Sequence, residues 1–402
     1  MTIHHDKLAY GKLASLEEEY SRSRLAELTD ACGGAWPDYE NCIAGLGCSL
    51  LRFFGAELPA GGKTLPLADG ILEVLEGEGR SAVLLLLDGM GMNVMRAHLA
   101  EGGFFRSSLA GEYSSVFPPT TVAATTSLLS GLTPNAHARL GWTGYFPSLD
   151  QNIEIFSGKI ADGGEGPGYN AADRFLPYVS ILERMRAAGV RAHCVSPYLP
   201  PYPQTFADLC DAVRGMVRGE GGKCFVYAYW PQPDGVMHTY GTYSEEAAAA
   251  LREIEREAEK LCGDLQDALV LATADHGMID AEERLCIADY ADIVRLLRRM
   301  PSVEPRALNL FAQEGAAQEL RAAFAGHFPD FTLYSKEELL QSGLLGDMRD
   351  HPLLCEALGD LFAVAAGERA LFNTRESAQK FVGVHAGLTE EELRIPLLRL
   401  RG

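Results

Sequence analysis

Ala82-Val-Leu-Leu-Leu-Leu-Asp-Gly-Met-Gly91 carries six apolar residues in succession and then an acid at the start of a glycine turn. A run without polar alternation suits a strand buried on both faces, the situation of a parallel sheet. Similar runs recur at Tyr113–Phe117, Val190–Val195, Cys224–Tyr229 and Ala268–Thr273. Between them lie stretches with apolar residues at helical spacing: Thr121–Leu129, Val179–Ala188, Phe206–Arg218 and Ser244–Leu265. Strands alternating with helices predict an α/β fold, a mainly parallel sheet flanked by helices on both faces. Ligand sites in such sheets form beyond the carboxyl ends of the strands.

On the amino-terminal side, residues 1–75 read as a helical segment packed on this core, with helices expected over Leu13–Thr29 and Asn41–Phe54. Past Met278 the pattern loosens. Short strands are expected at Pro305–Phe311 and Phe331–Tyr334, with helices at Gln318–Phe324 and Lys336–Gln341. The division expected is a core of residues 76–284 and 379–402 and a small α+β insertion over 285–378, either a lid over the site or a peripheral domain.

The chain has 402 residues, 47% of them hydrophobic and 22% charged, the balance of a globular protein rather than a disordered one. No apolar run approaches the roughly 20 residues of a membrane-spanning helix. The first twenty residues lack the basic-then-apolar pattern of a signal peptide, so a cytoplasmic location is expected. The nine cysteines show no C-x-x-C pair, which speaks for buried thiols over a thiolate metal site. A net charge of −20 disfavours nucleic acid and anionic membranes as partners. It also requires that any anionic substrate meet a local reversal of the field, for which bound cations are the obvious means. A homo-oligomeric contact through the amino-terminal helices is an open expectation.

Five motifs fall at or near strand ends. Asp88 closes the leucine run. In F-P-P-T-T-V-A-A-T-T-S-L-L-S-G, residues 117–131, two prolines stop a strand and Thr120 or Thr121 opens a helix, where a threonine can cap the helix and a phosphate can meet free N–H groups. Asp234 and His238 stand four apart in P-D-G-V-M-H; Asp275 and His276 are adjacent in T-A-D-H-G-M; His385 lies between glycine-rich neighbours in G-V-H-A-G. Each alone is a plausible turn or loop. Together, three Asp, three His and a Thr at the ends of one sheet suffice for two metal ions.

In this order the motifs resemble the alkaline phosphatase superfamily, and within it the type I nucleotide pyrophosphatase/phosphodiesterase family. The family's nucleophile segment aligns without a gap on Phe117, Pro118, Thr121, Gly131, Pro134 and His137, which selects Thr121 over Thr120. The resemblance implies an alkaline-phosphatase-like fold. It implies one divalent ion on Asp234, His238 and His385 and a second on Asp88, Asp275, His276 and Thr121, zinc suiting the nitrogen and oxygen donors best. The implied activity is hydrolysis of phosphodiesters or nucleotide pyrophosphates through a phospho-threonine on Thr121, with a small phosphorylated substrate such as a nucleotide. One departure stands out. Nucleotide-cleaving members carry an Asn three residues after the nucleophile, and here that residue is Ala124. Asn93 or the N–H groups after Thr121 are the candidate replacements. The alternatives are a phosphomonoesterase or phosphonate hydrolase on the same scaffold and, more remotely, an inactive binding protein.

Overall fold

The computed structural model describes residues 34–73, 81–161, 163–219 and 222–401. The helix expected over Leu13–Thr29 lies outside them. In chain order the strands are β1 (Ser81–Leu87), β2 (Leu109–Ser114), β3 (Thr143–Phe146), β4 (Gln151–Glu154), β5 (Arg191–Val195), β6 (Cys224–Trp230), β7 (Ala268–Thr273) and β8 (Ile279–Asp280). They continue with β9 (Glu283–Cys286), β10 (Ser302–Glu304), β11 (Ala307–Leu310), β12 (Phe331–Ser335), β13 (Leu361–Ala365), β14 (Arg369–Phe372), β15 (Gly383–Val384) and β16 (Arg394–Leu400).

The main sheet has the order β2–β16–β7–β1–β6–β5. β5, β6, β1 and β7 run parallel, with Leu84 opposite Tyr227 on one side and Leu271 on the other. β16 is antiparallel to both β7 and β2. Successive side chains of a strand point to opposite faces, and Ala82–Leu87 are all buried, so both faces of β1 are covered. Helices Ile43–Phe53, Phe206–Arg218 and Glu245–Asp264 contribute to this cover, each with a buried apolar stripe in the same core. No helix among the described residues is long and apolar enough to cross a membrane.

The central strands and their helices follow the expected boundaries closely, and Phe206–Arg218 matches at both ends. β2 is a correction. It ends at Ser114, is at least partly exposed over residues 109–112 and buried only at Tyr113 and Ser114, and lies at the sheet edge. The apolar run to Phe117 marks a buried loop instead, in which Ser115 N donates to Leu393 O and Ser115 Oγ to Asp275 O. A hydrophobic loop and a hydrophobic strand end look alike in sequence.

The second sheet is antiparallel, ordered β12–β13–β11–β10–β3–β4. Its β10–β13 strands come from the 285–378 stretch. Its β3–β4 hairpin comes from residues 143–154, which the sequence reading assigned to the core; Val303 pairs with Thr143 to join them. β15 pairs with β8 in a separate two-stranded sheet, Val384 opposite Ile279, one residue before His385, and the chain rejoins the main sheet at β16.

Candidate active site

Asp88, Asp275 and His276 closely follow main-sheet strands, Asp234 and His238 lie on the short helix after β6, Thr121 opens the helix beyond β2, and His385 follows β15. Asp88 follows β1, and its carbonyl accepts from Asp234 N at 3.0 Å, which locks the turn after β1 to the one after β6. Gly89 lies at φ +74, and a Cβ there would meet Asp234 Cβ and Met237 Cε at 3.0 Å. The Asp-Gly pair is therefore a docking point as well as a turn. Gly89 N donates to Asp275 Oδ1 at 3.1 Å, tying the third loop to the first.

Thr121 is the first residue of the helix Thr121–Ser130. Thr120 occupies the N-cap position with extended backbone but does not cap; its hydroxyl donates to Glu304 Oε1 at 2.7 Å. Carboxylates accept more strongly than neutral groups, so Glu304 takes the proton that a cap would not have used. Among the described residues the N–H groups of Thr121, Val122 and Ala123 have no partner, and Ala124 N is the first to bond back, to Thr120 O.

Thr121 Oγ1 lies 3.3 and 3.4 Å from the two Asp88 oxygens and 3.3 Å from His276 Nε2. His276 Nε2 is 3.3 Å from Asp88 Oδ1 and 3.8 Å from Asp275 Oδ2. Across the site, Asp234 Oδ2 is 3.4 Å from His238 Nε2, and Asp234 Oδ1 is 3.8 Å from His385 Nε2. The His276 and His385 rings stack with centroids 3.9 Å apart. The structure thus gathers all seven residues.

All three histidines face the site through Nε2. Their Nδ1 atoms lie against backbone carbonyls: His238 on Gly383 O at 2.8 Å, His276 on Gly277 O at 2.9 Å, His385 on Pro119 O at 3.1 Å. A carbonyl fixes Nδ1 as the protonated nitrogen and leaves Nε2 free to coordinate, the usual arrangement behind a metal-binding imidazole. Two buried oxygens, Asp234 Oδ1 and Asp275 Oδ2, lack any hydrogen-bond partner. Asp234, His238 and His385 offer donor atoms within 4.8 Å of one another, and so do Asp88, Asp234 and His276. Orphaned carboxylate oxygens beside aimed imidazole nitrogens fit divalent cations. Asp234 belongs to both groups, and Asp275 falls outside the second, a difference from the division the resemblance implied.

Electrostatics point the same way. Burial, then the Asp88 charge, pushes the Asp234 and Asp275 carboxyls well above the usual range. Burial also opposes ionisation of Asp88, but the hydrogen bond and charge of His276, with Tyr229, bring it below its usual value. Burial disfavours charge on His276, yet Asp275 and Asp88 overcome this and raise it to about 10. Burial and neighbouring histidines hold His385 well below its ordinary value.

Two contributors had escaped the sequence reading. Tyr229 OH donates to Asp88 Oδ2. Its signal was a phenol near the end of an otherwise apolar strand. Glu304, on β10, reaches the site from the second sheet and also accepts from Trp142 N at 2.7 Å; nothing near it in sequence marked it. Asn93 has a different place from the one expected. Its Nδ2 donates to Met278 O at 2.7 Å and lies 3.5 Å from Tyr243 OH, so it braces the Asp275–Met278 loop.

A hydroxyl at an open helix start, facing Asp and His side chains at the carboxyl ends of a parallel sheet, defines a phosphoryl-cleaving hydrolase of alkaline-phosphatase-like fold. The chain belongs to the type I phosphodiesterase/nucleotide pyrophosphatase family, whose model matches residues 82–387. It is an enzyme of the phosphoric ester hydrolase class. No curated protein sequence matches it. Among solved structures it resembles an inactive variant of murine ectonucleotide pyrophosphatase/phosphodiesterase 5 in complex with AMP: TM-score 0.61, 16% identity, 80% of this chain and 88% of that one. The human counterpart gives TM-score 0.60 at 16% identity over 80% and 88%. Phosphonoacetate hydrolase from Sinorhizobium meliloti 1021, in complex with phosphonoformate, gives 0.59 at 17% over 80% and 90%.

Proposed function

We propose that the protein is a metal-dependent hydrolase of phosphodiesters or nucleotide pyrophosphates in which Thr121 is the nucleophile. The observation that carries this reading is the position of Thr121 Oγ1, 3.3 Å from both Asp88 Oδ1 and His276 Nε2 at the start of an uncapped helix. Divalent ions, zinc by donor type, would be held by Asp234, His238 and His385 and by Asp88, Asp275 and His276; they would lower the pKa of the Thr121 hydroxyl and offset negative charge on the leaving oxygen.

The chain's own part is as follows. Asp88 and His276 orient Thr121 Oγ1 toward the incoming phosphorus. Oγ1 gives up its proton and attacks, the bond from phosphorus to the leaving oxygen breaks, the leaving oxygen takes up a proton from solvent, and a phosphodiester joins Thr121 to the group that stays on phosphorus. The free N–H groups of Val122 and Ala123 face the phosphoryl oxygens at the helix start, in the role that Ala124 cannot fill. Water then attacks the same phosphorus from the side the leaving group vacated, the bond to Thr121 Oγ1 breaks, a phosphomonoester is released, and Thr121 regains its proton.

Substrate charge supports the diester reading. Among the described residues no Lys or Arg side chain bonds to Asp88, Asp234, Asp275 or Glu304, so no cation is tied to these carboxylates to meet the extra charge of a monoester. The AMP held by the murine relative makes a nucleotide substrate a natural first choice. Elemental analysis combined with a chromogenic panel of diesters, monoesters and phosphonates tests this reading. Zinc-dependent turnover, fastest on diesters, is the expected result; turnover confined to phosphonates would replace it with the phosphonate reading.

A further inference from the structure

Arg306 and Glu392 form an ion pair with both side chains wholly buried. The guanidinium is bidentate, Nε to Oε1 at 2.7 Å and Nη2 to Oε2 at 2.8 Å, and Nη1 donates to Arg369 O at 2.7 Å. Glu392 Oε1 also accepts from Gly387 N at 2.7 Å, and Oε2 from Thr389 Oγ1 at 2.9 Å. The Glu392 carbonyl accepts from Gly277 N at 2.9 Å. One residue therefore grips both loops that carry histidines: Asp275–His276–Gly277 through its backbone and His385–Ala386–Gly387 through its side chain.

The second loop needs such a grip. Ala386, between His385 and Gly387, sits at φ +85, in the region that L side chains avoid. A strained residue persists only where its surroundings over-determine it. The flanking restraints are Gly387 N on Glu392 and Leu388 N on Ala365 O at 2.8 Å, and Ala365 N in turn donates to Arg306 O at 2.9 Å. Gly387 admits no side chain, since a Cβ would come within 2.5 Å of Arg306 Nη2. Stability alone is a poor reason for the pair, because buried ion pairs are often no better than apolar replacements.

We propose that Arg306 and Glu392 are positioning residues whose task is to hold His385 in the Asp234–His238–His385 group and so set the cation affinity of that group. The inference rests on the metal-dependent reading above. It makes the second sheet, through Arg306 between β10 and β11, part of the apparatus that keeps the cation site assembled.

The test is zinc binding by chelator competition, with the unfolding temperature of each cation-free protein as the control for folding. The wild-type chain should take up two ions. Arg306→Met/Glu392→Leu removes both charges together and should fold; one ion should then bind about ten- to hundredfold more weakly, as when an outer partner of a metal ligand is lost. The other should stay within threefold. Glu392→Gln should weaken the same ion, and adding Ala386→Gly should recover part of the loss, because glycine relaxes at positive φ. A purely structural pair would show no such rescue. Folded variants that bind both ions as tightly as wild type overturn this proposal alone. A wild-type chain that binds no zinc overturns it together with the metal-dependent reading.

Discussion

His276 Nε2 lies 3.3 Å from Asp88 Oδ1, and this contact joins the loop after β7 to the loop after β1 at the point where Thr121 enters. Neither residue is exposed, and each changes the ionisation of the other: His276 is raised to about 10 and Asp88 is brought down. Two buried groups that need each other's charge can equally share a cation.

Removal of cations should abolish turnover and loosen the fold together. A ligand that binds only the folded chain stabilises it by RT ln(1 + [L]/Kd), about 4 kcal/mol at a thousandfold excess over Kd. Chelator-treated protein should therefore unfold several degrees lower and recover both stability and activity when zinc is restored. Calorimetry with and without zinc, on one preparation, checks this.

Thr120 should behave unlike its neighbour. Thr120→Val keeps the shape and loses the 2.7 Å bond to Glu304. The expected cost is about 1.5–3 kcal/mol of stability, as for a hydrogen bond to a charged group, with kcat changed by less than roughly tenfold. Denaturant unfolding and steady-state kinetics on the same variant separate the two effects.

Glu304 should influence which charge the substrate carries. Burial raises its carboxyl pKa, while its bonds to Thr120 and Trp142 favour the ionised form. Glu304→Gln removes that negative charge, and a monoester dianion should gain more than a diester monoanion, by about tenfold in relative kcat/KM for a unit charge at several ångströms. Because the pKa is raised, the wild-type discrimination should fade as pH falls and Glu304 takes up its proton. The Gln variant should lack that pH dependence.

His137 gives a stability prediction away from the candidate ligands. It is buried, its Nδ1 accepts from Arg139 N at 3.1 Å, and Nε2 therefore carries the proton toward Ser127 Oγ at 2.9 Å. Burial, then the Arg139 charge, lowers its pKa to about 3. The unfolded chain would bind a proton near pH 6.5 that the folded chain refuses, so this contribution is full above about pH 6.5 and is lost as pH falls toward 3. His137→Asn should flatten the acid limb by up to about 1.4 kcal/mol per pH unit in that window. Urea unfolding of both proteins across pH 4–7 measures the difference.

The parts legible in the sequence were those set by local pattern. The leucine run of β1 and the amphipathic Phe206–Arg218 helix announce themselves because burial on two faces, or on one stripe, dictates residue type along a continuous segment. Asp88, Asp275 and His276 could be picked out because each closely follows such a strand, and Asp234 with His238 because their spacing of four suits a shared ion. What could not be read depends on partners far away in the chain. Thr120 stands where a threonine cap is expected, and its bond to Glu304, 184 residues on, has no local signal. Asn93 carries a free-looking amide in sequence that Met278 O claims in space. The β3–β4 hairpin is too short and mixed to declare which sheet it joins, and β2 merged with the apolar loop beyond it.

The measurement that tests the central claim most directly is kcat for Thr121→Ala on a chromogenic phosphodiester, with bound zinc determined on the same sample. The account predicts wild-type zinc content, an unchanged unfolding temperature within a few degrees, and a fall in kcat of roughly 10⁴-fold or more, since the covalent step loses its only nucleophile. Thr121→Ser should retain part of the rate. A Thr121→Ala protein that keeps its zinc and turns over within tenfold of wild type would contradict the account and assign the attack on phosphorus to water.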